Sequence, residues 1–379
     1  MTSISTSGQF FRMRTNNLDV QERLAELRDQ VATQKKTTVY GGLGGEARVS
    51  IGLRAEVREL ETYRANVDKA RLRASTSIET LERVSKVAKD ISVELIKLQS
   101  DVNGDPAILR DIARRAFEEL KGLYNTRANG EYVLAGTDQD NPPLPSASAD
   151  DMLAAIEADF QTAELDPLAS PNRALVASHF RARGLQPTSP PIAVALPPLA
   201  AASQVFSNAL EQPLATNVVD RSAARVDRGL DVTYGVLATG GSASADIAAP
   251  ASDAAPPASL PALREILRGI ASIVALPTPA NETEVASMKA FAAQVQRGLD
   301  GAAREVDQDV GRVGSAMKHM DAVATRHKDV EVVLTQGVKD VEDVDMAEAI
   351  TRLQLTQTQL EASYRATASL NRTNLNDYL

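Results

Sequence analysis

The sequence predicts a mainly α fold: a long coiled-coil-like helical rod formed by both chain ends, with a small mixed or β-containing domain inserted between them. Three observations carry this. All 18 prolines except Pro106 lie between Pro142 and Pro279, leaving two arms almost free of the residue that helix interiors exclude. Apolar residues in both arms recur at spacings of three and four, the period of a helical stripe. The middle is dense in Pro, Ala and Ser, as in NPPLPSASAD and PTSPPIAVALPPLA, a composition that favours linkers and decorated loops. The resulting map has terminal coiled-coil assembly segments at 1–40 and 345–379 and a helical rod at 46–137 and 295–344. A variable Pro/Ala-rich inserted domain occupies 140–290.

In chain order, Val20, Leu24, Leu27 and Val31 form the first stripe, preceded by Phe10, Phe11 and Leu18. That helix should stop near Thr37, where a β-branched run meets Gly41, Gly42, Gly44 and Gly45. The glycines lack the GK[ST] ending of a phosphate loop and read as a flexible joint. From Glu46 to about Ser100 a long stripe follows, through Val57, Leu60, Val67, Ala74, Ile78, Leu81, Val84, Ala88, Ile91, Leu95 and Leu98. Asp105 and Pro106 are placed to cap and start a further helix, which ends before the tight-turn pair Asn129-Gly130 and a strand at 131–134. Residues 226–238 alternate as a strand pair turning at Arg228-Gly229.

After Pro279 the stripe returns at Val306, Val310, Val313, Met317, Met320, Ala324, His327, Glu331, Leu334, Val338 and Val341, the natural partner for 57–98. The last seam is Met346, Ile350, Leu353, Gln357, Leu360, Tyr364, Thr367 and Asn371. Half of it is polar, so it buries too little apolar surface to stand alone and needs a partner stripe, for which residues 10–36 are positioned.

The same residues argue against several function classes. A net charge of −9 without basic clusters gives no electrostatic footprint for nucleic acid. No run approaches the apolar length of a membrane span, and the first residues lack the basic and apolar regions of a cleaved signal peptide. Without cysteine there are no disulfides and no thiolate ligands. His319 and His327 are too far apart on one helix to share a metal, and His179 falls in a loop-like region. The acidic group Glu342, Asp343, Asp345 and Glu348 lacks calcium-loop spacing and suits a helix start, where the macrodipole favours carboxylates. No catalytic motif is present, so no enzyme, cofactor or metal is expected.

Three stretches carry a resemblance. Residues 341–379 resemble the terminal helix of bacterial flagellins and flagellar hook-filament junction proteins. Asp343, Asp345, Met346, Ala347 and Glu348 match its opening, and Asp377, Tyr378 and Leu379 its end. The segment LKGLYNTRANGEYVLAGTDQDNPP, through Leu123, Asn125, Thr126, Gly130, Tyr132, Ala135, Gly136, Thr137, Pro142 and Pro143, is similar to a junction-protein pattern. The N-terminal Ile4 to Ser7 and Leu24 to Lys36 are similar to the group's opening helix, with Gln34 standing where the family commonly has Gly. The resemblance implies an extracellular structural subunit of the flagellum, most simply the hook-filament junction protein, with flagellin as the alternative and an adhesin on the insertion as a more distant one. It further implies export without a cleaved signal through the type III apparatus, helped by a chaperone. Partners would be further copies of the chain and other axial proteins. The expected assembly residues are Phe11, Leu18, Leu24, Leu27, Val31, Met346, Ile350, Leu353, Leu360, Tyr364, Tyr378 and Leu379.

Overall fold

The structure is a computed structural model that describes residues 6–101, 105–183, 205–207, 210, 219–239 and 260–376. Its helices are α1 (Thr6–Thr33), α2 (Ala47–Ser100), α3 (Ala107–Tyr124), α4 (Ser146–Phe160), α5 (Pro171–Ala182), α6 (Ala262–Val274), α7 (Glu282–Glu342) and α8 (Met346–Asn376). Two hairpins accompany them, β1 (Arg127–Ala128) with β2 (Glu131–Tyr132) and β3 (Ala223–Asp227) with β4 (Leu230–Thr233). The fold is therefore mainly α, with long helices from both chain ends and a small strand-containing insertion. Two compact units divide it, one of residues 1–62 with 325–379, the other of 63–324.

In the larger unit, α2 buries Val67, Ala70, Ala74, Ser77, Leu81, Val84, Ala88, Ile91, Leu95 and Leu98, an unbroken alternation of threes and fours. Facing them, α7 buries Met288, Val295, Leu299, Val306, Val313 and Met320. Polar pairs set the register: Ser85 Oγ donates to Asp307 Oδ1 at 2.7 Å, Lys89 Nζ lies 2.8 Å from Asp307 Oδ2, and Ser92 Oγ donates to Asp300. As one helix advances from Ser85 to Ser92, its partner recedes from Asp307 to Asp300, so the two run antiparallel.

The same core continues through α3, α4 and α6. Tyr124, fully buried at the end of α3, donates its hydroxyl to the Leu263 carbonyl at 2.6 Å, and burial pushes its phenol far above the ordinary range. Asn125 exchanges two hydrogen bonds with the Leu144 backbone, at 2.6 and 3.0 Å, pinning the start of the insertion. Arg181 on α5 forms a buried fork with Asp159 on α4, at 2.9 and 3.1 Å. His179 belongs to this layer too. It was expected in a loop, but Pro171 occupies the first helical turn and the following residues continue as α5, leaving His179 only 1% exposed.

The glycine-bearing motif at 130–137 is explained by the hairpins. Asn129 (φ 53°) and Gly130 (φ 85°) turn β1 into β2, both in the left-handed region that a two-residue hairpin loop demands. The strand expected at 131–134 is only two residues long. Arg73 of α2 reaches across to Glu131 Oε2 at 3.0 Å and to the Tyr132 carbonyl at 3.1 Å. Gly136 (φ 63°) lies so close to the Asp220 carbonyl and the Leu237 side chain that a Cβ would collide with both. Next to it, Thr137 N donates to Asp220 O at 2.9 Å and Asp220 N returns a bond to Thr137 Oγ1 at 3.0 Å. The strand pair expected around Arg228-Gly229 is β3–β4, with Gly229 at φ 74°. The low-complexity stretches at 184–204 and 240–259 lie outside the described residues.

Candidate assembly surface at the terminal helix pair

In the smaller unit α1 and α8 pack on each other. α1 turns Met13, Asn17, Val20, Leu24, Leu27 and Val31 inward, a heptad-like stripe of which only Leu24 and Leu27 are fully buried, at 7% exposure each. α8 turns in Ala349, Leu353, Thr356, Leu360, Ser363 and Thr367. Ser363 bonds to Asn17, Thr367 Oγ1 lies 3.2 Å from Met13 Sδ, and Gln21 bonds to the Tyr364 hydroxyl, so the pair is antiparallel and polar contacts join it at this end.

The stripe of α8 is turned by one residue from the one expected. Leu353 and Leu360 are on it and half-buried. Ile350 and Tyr364 lie at its margin, 41% and 48% exposed, and Ala349, Thr356 and Ser363 take the inward places. Small and hydroxylated residues let the two backbones approach, and Thr356 bonds its own helix at the Arg352 carbonyl (2.8 Å) instead of leaving a polar group unpaired. Val31 and Met346 are half-buried, while Phe11 is 72% exposed and Leu18, 56% exposed, lies at the edge of the groove between α1 and α8 beside Tyr364. Tyr378 and Leu379 lie outside the described residues. The pair thus leaves Phe11, Leu18, Ile350, Leu355 and Tyr364 as large side chains with substantial apolar surface exposed.

Where the pair begins, three chain segments meet at Glu342. The sequence suggested a helix start here. Instead α7 runs through Glu342 and ends on it, so the carboxylate sits at a helix C-terminus, where the macrodipole disfavours it. Donors from elsewhere offset this. Arg54 grips it as a fork (Nε to Oε1 2.7 Å, Nη2 to Oε2 2.6 Å), Lys35 Nζ lies 3.0 Å from Oε2, and Ser50 Oγ donates to Oε1. Arg54, then Ser50 and Lys35, hold the carboxyl well below the ordinary carboxylate range, against the opposing effect of burial. The backbone is tied at the same level, by Lys36 N to Glu342 O (2.8 Å) and Val344 N to Gln34 O (3.1 Å). Lys36 Nζ caps α7 through the Val341 carbonyl at 2.7 Å. Asp345 is the cap of α8, its Oδ1 accepting from Ala347 N (2.9 Å) and Glu348 N (3.2 Å).

On the other strand of this joint, α1 stops at Thr33 and not near Thr37, because Gln34 adopts φ 60°, the left-handed conformation that ends helices. Glycine is the residue best suited there. The glycines at 41–45, expected as a flexible joint, lie in two short 3-10 turns within Tyr40–Glu46, separated by a kink at Gly44 (φ 56°). Arg54, Ser50 and Lys35 carry no sequence motif; what could have pointed to the site is Glu342 itself, one position past the stripe through Leu334, Val338 and Val341.

Among the described residues no group of three or more His, Asp or Glu side chains could hold a metal, and no helix is long and apolar enough to cross a membrane. Residues 296–379 match the bacterial flagellin C-terminal helical region. No curated protein matches the chain. Among solved structures, one assigned to a flagellar hook-associated protein from Vibrio parahaemolyticus is similar at 12% identity and a TM-score of 0.43, covering 78% of this chain and 97% of the other. The C-terminal arm, residues 296–379, is therefore similar to the C-terminal helical region of bacterial flagellins.

Proposed function

We propose that this protein is a structural subunit of the bacterial flagellum, placed at the junction between hook and filament. The observation that carries the structural role is the terminal pair, which leaves apolar surface of Phe11, Leu18, Leu355 and Tyr364 exposed on the helices that include the flagellin-type C-terminal region. Neighbouring subunits would cover these side chains, removing their apolar surface from water. The 120–143 segment favours the junction over the filament, since its residues resemble the junction pattern. Flagellin is the second reading, favoured by the family matched at 296–379. The subunit would travel through the flagellar type III channel with a chaperone and assemble outside the cell with other axial proteins. No catalysis, cofactor or metal belongs to this reading.

Deleting the gene and imaging the cells tests it. A junction subunit leaves hooks without filaments and flagellin in the medium. A shortened or altered filament would transfer the assignment to flagellin, and unchanged flagella would overturn both.

A further inference from the structure

We propose that Asn129 is a deamidation site that the folded β1–β2 hairpin keeps closed, so that isoaspartate at this position marks chains that have spent time unfolded. The chemistry is set by the pair Asn129-Gly130. The deprotonated Gly130 amide nitrogen attacks Asn129 Cγ, the side-chain nitrogen leaves as ammonia, and a five-membered succinimide ring forms. Water then opens the ring at either carbonyl, giving aspartate or isoaspartate. Glycine has no Cβ to obstruct the attack, and both residues of the pair are exposed to the water that completes the reaction.

Geometry decides when the ring can close. The new bond links Gly130 N to a carbon borne on Asn129 Cβ. Nitrogen and Cβ must therefore lie on the same side of the Asn129 Cα–C bond, which for an L-residue needs ψ of about −120°. Pairing of Arg127 with Tyr132 and of Ala128 with Glu131 leaves two loop residues, and their φ values of 53° and 85° are those of a type I′ turn. Such a turn holds its first central residue at ψ of about +30°, roughly 150° from the reactive rotation, with the nitrogen nearly opposite Cβ. Contacts outside the loop keep the hairpin in this form. Arg127 stacks on the Tyr132 ring, 4.2 Å from its centre, Arg73 of α2 bonds Glu131 and the Tyr132 carbonyl, and Ala128 and Tyr132 are buried. Reaction therefore waits for the hairpin to open. Its product persists, because isoaspartate routes the main chain through Cβ and adds an atom for which a two-residue turn of this register has no place. The inference is independent of the flagellar reading.

The test incubates the full-length protein at one pH and temperature, folded and in concentrated guanidinium chloride, and then digests it with trypsin. Cleavage after Arg127 separates the Asn129 peptide from that of Asn103-Gly104, the other such pair in the sequence. Isoaspartate is read in each peptide by mass spectrometry and by enzymatic methylation with an isoaspartyl methyltransferase. At Asn129 it should accumulate about tenfold or more faster in the unfolded chain than in the folded protein. A smaller ratio would show that the hairpin does not close the site, and would overturn the proposal. So would the absence of isoaspartate at this position in the unfolded chain, or a signal that survives Asn129→Gln.

Discussion

His179 should make this protein lose stability in mild acid. Its ring is 1% exposed, and its Nε2 has no hydrogen-bond partner among the described residues. Burial, then the nearby Arg268 and Arg183 guanidinium groups, push its pKa down to about 3. In the unfolded chain the ring would titrate near 6.5. The sign follows: below that value the unfolded chain takes up a proton that the folded one refuses, so the contribution is intact above about pH 6.5 and falls as pH drops toward 3. Between pH 8 and pH 5 the loss amounts to about 2 kcal/mol, with a limiting slope of about 1.4 kcal/mol per pH unit. Urea titrations followed by circular dichroism at pH 8, 7, 6 and 5, on the native chain and on His179→Leu, would measure it. Leucine fills the site without a titratable group, so its stability should be flatter by that amount over this range. Parallel pH profiles for the two proteins would refute the reasoning.

Further expectations concern the joint, the hairpins and α7. Because the Glu342 carboxyl is depressed by Arg54, Ser50 and Lys35, its contribution is complete above the ordinary glutamate value and disappears only as pH falls below about 4, so the acid step of the smaller unit should vanish in Glu342→Gln. At neutral pH, Arg54→Ala removes the fork from Glu342 but leaves Ser50 and Lys35 on it, and with Arg54 itself 40% exposed the change should cost about 1 kcal/mol in chemical denaturation. Gln34→Gly relieves a left-handed non-glycine residue and should raise the stability of the same unit by about 1 kcal/mol, whereas Gln34→Val should lower it. Gly136→Ala must both hold φ 63° and push back Asp220 and Leu237, so a loss of at least about 2 kcal/mol, seen as a lowered Tm, is expected. Gly311→Ala and Gly314→Ala meet nothing around the new methyl and should each stabilise α7 by about 0.5–1 kcal/mol; a destabilised monomer would show that these glycines are needed for its packing.

The sequence by itself determined that the two chain arms are helical and where their long stripes run. Pro-free arms and the alternation through Val67, Leu81 and Leu95 admit one solution, because a helical stripe is a local, periodic property of the chain. Turns at Asn129-Gly130 and Arg228-Gly229 were equally legible, since the demand for positive φ is met by few residue types. The flagellin-type C-terminal region was legible from residues scattered through 341–379. Tertiary structure decided what periodicity leaves open. A half-polar stripe such as that of α8 does not fix its own rotation. Contact with α1 placed Ala349, Thr356 and Ser363 inward and left Ile350 and Tyr364 at the margin. Helix α5 was missed for a similar reason: a short helix among prolines is stabilised by burial on its neighbours, not by its own sequence. The site at Glu342 could arise only in three dimensions. A carboxylate at a helix C-terminus is locally unfavourable, and it is held there by Arg54, Ser50 and Lys35, residues some three hundred positions away that no local rule connects to it.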